Sequence, residues 1–101
     1  MGFQAADLVE FGRSLGSLSG VREVWLLAPT DHEATLYVTV AGFDAEAIKD
    51  RRRVYMAIED HLERVRPEMD NVGFAFNHSV LVDEDEVGEP RIPSGARNLA
   101  A

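Results

Sequence analysis

Cysteine is absent from this chain of 101 residues, which excludes disulfides, zinc–thiolate sites and thiol chemistry. Lysine occurs once, and the other nine of ten basic residues are arginine. These ten stand against 18 acidic residues, for a formal net charge of −8. Binding nucleic acid through phosphates needs clustered positive charge that displaces counterions, so no nucleic-acid partner is expected. No stretch approaches the roughly 20 apolar residues that span a bilayer, so no membrane partner is expected either. Met1–Leu8 has neither a basic start nor an apolar run, which makes a cytoplasmic location the expectation. Asn77-His78-Ser79 matches a glycosylation sequon but, without a secretory signal, reads as chance.

What is present suits one small α+β domain over residues 1–82, followed by an acidic tail over 83–101. Leu8, Phe11, Leu15 and Leu18 share one helical face, which predicts a helix over 4–18. Gly12 and Gly16 weaken that helix unless another backbone approaches closely. Alternation in Arg22–Ala28 and Ala34–Ala41 predicts two strands around the turn Pro29–Glu33, an antiparallel hairpin. Asp44 is placed to cap a helix over 45–66, with Phe43 and Ile48 as a hydrophobic staple and Pro67 as the stop. On that helix Ile48, Tyr55, Ile58, Leu62 and Val65 read as the core stripe, with Val54 at its margin and Arg51 in its middle. Val72, Phe74, Phe76, Val80 and Val82 alternate through a third strand, 72–82, long enough to bend or overhang its partners. The tail, DEDEVGEPRIPSGARNLAA, is rich in charge, proline and glycine and reads as flexible.

The order helix, strand, strand, helix, strand predicts a two-layer αββαβ ferredoxin-like half. Its sheet is expected to be three-stranded and antiparallel, in spatial order 3-1-2, with both helices on one face. Over residues 5–77 the element order is similar to the cytoplasmic C-terminal domain of cation-diffusion transporters, a resemblance that implies a dimer. Tyr37-Val38-Thr39-Val40 lacks the histidine those domains carry in the second strand, so no metal site is carried over. Gly20–Leu27 also resembles the strand that opens minimal nucleotidyltransferases. Ala28-Pro29-Thr30 replaces their Gly-Ser turn, and no carboxylate lies between Ala34 and Ala41, so their chemistry cannot run here.

No catalytic or metal-binding signature emerges, and no cofactor is expected. His32, His61 and His78 fall on a turn, a helix flank and a strand, with no close spacing between any two, so no ligand set is read from them. Ser79 and His78 are strand neighbours and face opposite ways. Arg51 and Arg52 invite a fork-like anion site. The plainer expectation pairs them with Asp83 and Glu84, which the topology brings to the same end of the domain. The uncovered sheet face is the stronger candidate, with Trp25, Leu27, Thr35, Tyr37 and Thr39 as interface residues unless Ile92 and Leu99 fold back over it. The function expected is a small non-catalytic interaction or dimerisation module, its partner a second copy or another protein. The alternatives are an acidic regulator of a basic site and, more weakly, an anion-binding domain using Arg51 and Arg52.

Overall fold

Strand β1, Val21–Thr30, and strand β2, Glu33–Ala41, form the antiparallel hairpin that the alternation foretells. In the computed structural model the described residues are 3–42, 44–83 and 92–99, with Val82 and Asp83 described by backbone alone. Asp31 and His32 make the turn, where the Thr30 hydroxyl accepts the His32 N–H at 3.2 Å. Pairing steps from Val21↔Val40 to Glu23↔Thr39 and from Leu27↔Thr35 to Thr30↔Glu33, so β1 carries an extra residue at each place. The first bulge, at Arg22, turns Val21 to the core side, where it packs. The second contains Pro29, which has no N–H to give to a ladder.

Helix α1, Asp7–Leu15, buries Leu8, Gly12 and Leu15. It is shorter than the apolar spacing suggests, because the chain turns at Gly16 and Leu18 packs from outside the helix. Helix α2, Ala45–Val72, starts where expected, with the Asp44 carboxylate accepting the Ala47 N–H at 3.0 Å. Phe43, the other half of the expected staple, lies outside the described residues, and Ile48 is 55% exposed. Pro67 does not end α2. It removes one donor, yet the helix runs on, burying Met69 and half-burying Val72. Gly73, at φ 66°, then closes it in a Schellman motif: its N–H meets Asp70 O and the Phe74 N–H meets Met69 O at 2.8 Å.

The third strand is therefore shorter than expected. Strand β3, Ala75–Asp83, pairs in parallel with β2 from Glu33↔Ala75 to Ala41↔Asp83, end to end and without overhang. A fourth strand, β4, Arg97–Asn98, pairs antiparallel with Leu26 and Trp25. The sheet is thus four-stranded and mixed, in the order β3-β2-β1-β4, and corrects the three-stranded antiparallel 3-1-2 arrangement. The physical reason is simple. The hairpin occupies one edge of β2, and the α2 crossover delivers β3 to the other, so β1 need not lie between them.

Both helices pack on the face that the even-numbered strand residues present. Val24, Leu26, Leu36, Val38, Val40, Phe74 and Val80 join Leu8 and Leu15 of α1 and Val54, Ile58 and Leu62 of α2 in one core cluster. Leu99, just beyond β4, belongs to the same cluster at 3% exposure. Its end fills the space that a Cβ on Gly12 would need. A leucine side chain, not a neighbouring backbone, thus explains the glycine in α1.

His61 clasps the two helices. Its ring stacks on Phe11 at 3.8 Å between centroids and 6° between planes, and its Nε2 is buried without a hydrogen-bond partner among the described residues. Burial, and then the nearby Arg64 guanidinium, lower its pKa below the ordinary 6.5. The unfolded chain then binds the proton more readily than the folded one. Stability contributed by neutral His61 is complete above pH 6.5 and is lost as pH falls toward the depressed folded value. Urea midpoints should fall between pH 7.5 and pH 5.5, and His61→Phe should flatten the part of that slope due to this ring. An identical slope in the variant would contradict the assignment.

Candidate functional site

The sheet face away from the helices has three rows set by the strand register. Trp25 lies opposite Tyr37, which lies beside Ser79. Leu27 faces Thr35, beside Asn77, and Glu23 faces Thr39, beside Leu81. Cross-strand neighbours of this kind sit close enough to act as one patch. Trp25, Leu27, Thr35 and Tyr37 are each half-buried. Thr39 is fully buried: its Oγ1 accepts the Glu23 N–H at 3.0 Å and its hydroxyl approaches Glu23 O at 3.5 Å. It secures the bulged end of the hairpin and offers nothing to a partner.

The C-terminal segment does not close this face in the expected way. Leu99 enters the opposite, helix-covered side through a backbone bond from its N–H to Val24 O at 2.8 Å. The turn from Pro93 to Ala96 instead passes the edge of the face, where a Cβ on Gly95 would stand 3.2 Å from Leu27. Asn98 donates to the Glu23 carboxylate at 3.3 Å from the same edge. The indole Nε1 of Trp25 is buried and has no partner among the described residues.

The largest exposed apolar groups lie elsewhere, on the outward side of α2. Ile48 is 55% exposed, Tyr55 40% and Met56 61%. Buried positions on this helix are Ala47, Asp50, Val54, Ile58, Leu62 and Met69. The core stripe is therefore rotated from the expected one, and Ile48 and Tyr55 leave it. They line an open groove of about 420 Å³ together with Met56, Arg51, Arg52, Glu59 and Asp60. Tyr55 is propped at its rim by His78 of β3, edge to face at 5.6 Å and 64°.

The three arginines separate. Arg53 donates to Asp50 at 3.0 Å, while Asp50 is only 9% exposed and turns its other oxygen to Gly20. Arg51 is half-buried and Arg52 exposed, and both flank the groove. The expected pairing with Asp83 and Glu84 falls on side chains outside the described residues. The β3 backbone does end level with Ala41, near the start of α2. Sequence reasoning missed Met56 as a surface group. The signal was available, since Met56 lies one turn beyond Arg52 on a face made of charges.

Among the described residues no three His, Asp or Glu side chains are grouped as a metal ion would need. No described helix is long and apolar enough to cross a membrane. No family model, no curated protein and no solved structure matches the chain.

Proposed function

We propose that this chain is a small non-catalytic protein-interaction module that docks its partner on the outward face of α2. The observation that carries this reading is the exposure of Ile48, Tyr55 and Met56 in one groove on an otherwise charged helix. Apolar side chains grouped in this way, rimmed by charge, are the surface feature that association covers. The net charge of −8 favours a protein over nucleic acid as partner. Glu59 and Asp60 line the same groove as Arg51 and Arg52, which makes the arginines rim charges of a mixed surface rather than a fork for a free anion.

The sheet face supports a second reading. Trp25 and Tyr37 lie opposite each other across β1 and β2 and are half-buried, residue types that serve as interface anchors. Affinity capture from the cell that makes the protein separates the two surfaces. Wild-type bait should retain a protein that Met56→Glu bait loses. Loss with Tyr37→Ser and retention with Met56→Glu would move the site to the sheet. A wild-type capture unchanged by both substitutions would reject both surfaces.

A further inference from the structure

We propose that the occupant of the α2 groove is a second copy of this chain, its own α2 laid antiparallel across a two-fold axis near Tyr55 and Met56. This rests on the docking reading above and supplies its partner. A two-fold pair needs a patch that complements itself. The outward stripe of α2 is ordered that way: Arg52, then Tyr55 and Met56, then Glu59. Arg52 and Glu59 are a heptad apart, about 10 Å along the axis and offset by only about 20° around it. With the second helix reversed, Arg52 of each copy meets Glu59 of the other, and the Tyr55 and Met56 side chains meet at the centre. Laid parallel and in register, the same stripe would set arginine on arginine.

Among the described residues neither charge is committed to an ion pair: the pairs are Lys49–Glu46 and Arg53–Asp50, and neither involves Arg52 or Glu59. Tyr55 meets the His78 ring edge to face and stays 40% exposed. An aromatic ring and a methionine inside a rim of paired charges is the composition that interface centres favour.

The test is sedimentation of the full chain from low micromolar to near-millimolar concentration. The weight-average mass should climb from 11.2 kDa toward twice that value. Arg52→Glu should weaken the association at least ~10-fold, because it places two like-charge contacts across the axis. Glu59→Arg should do the same. The double variant Arg52→Glu with Glu59→Arg should recover wild-type association within about threefold, since the exchange rebuilds both contacts. All these positions are exposed, so unchanged circular dichroism confirms folding of each variant. A strict monomer, or a folded double variant that fails to recover, overturns the antiparallel pair. A monomer that still captures another protein through Met56 overturns the pair and leaves the docking surface standing.

Discussion

Leu99→Ala lowers the unfolding free energy by about 2–4 kcal/mol, read from urea denaturation at neutral pH. The side chain is 3% exposed in the main core and its end fills the space beside Gly12. Among the described residues its backbone is tied to the sheet by the two-residue pairing of β4 and the bond to Val24 O. A loss below about 0.5 kcal/mol, the level of an ordinary surface substitution, would show that this segment does not hold its place in solution. Gly12 gives an independent view of the same contact. Gly12→Ala adds a methyl where the Leu99 end now sits. It should destabilise the wild type and become neutral or favourable once Leu99 is alanine, when helix propensity alone remains.

Gly20→Ala costs about 2–3 kcal/mol, the sum of a positive-φ penalty and a collision. Gly20 has φ 86°, and an added Cβ would overlap the Asp50 carboxylate. The same carboxylate is held by Arg53, so it cannot swing away without leaving that guanidinium. In an Asp50→Ala background the collision vanishes, and Gly20→Ala should cost only the backbone part, about 1 kcal/mol. Equal costs in both backgrounds would mean that the carboxylate is not seated on this turn. Through it, the α1–β1 connection and the first turns of α2 share one contact.

These two contacts show where the sequence could and could not be read. Alternation assigned the faces of β1 and β2 correctly, because side chains there change sides with every residue and one side is apolar. The strand it assigned begins at Arg22, and Val21, just before it, lies outside the alternation because the bulge at Arg22 reverses the parity. Strand order was not legible, because alternation says which face is buried but not which edge of β2 receives β3. Strand β4 has two residues and no period to detect, and Leu99 stands in a stretch, Asn98-Leu99-Ala100-Ala101, that resembles loose tail.

The second helix misled for a different reason. Its buried stripe contains Asp50, a charge that the Gly20 turn and Arg53 accommodate, and this broke the apolar spacing of Ala47, Val54, Ile58 and Leu62. Ile48 and Tyr55 offered a rival stripe about a quarter-turn away, with Arg51 inside it. Ile48, Tyr55 and Arg51, which made up that rival stripe, now line the groove.

The extra residues at Arg22 and Pro29 have one more effect. They stand at opposite ends of the five matched pairs from Glu23↔Thr39 to Leu27↔Thr35 and fix that segment like two stops on a rail. Sliding β1 by one position would require both irregularities to migrate together and would turn Val24 and Leu26 out of the interior. The hairpin therefore has a single register in which both side chains stay in the interior.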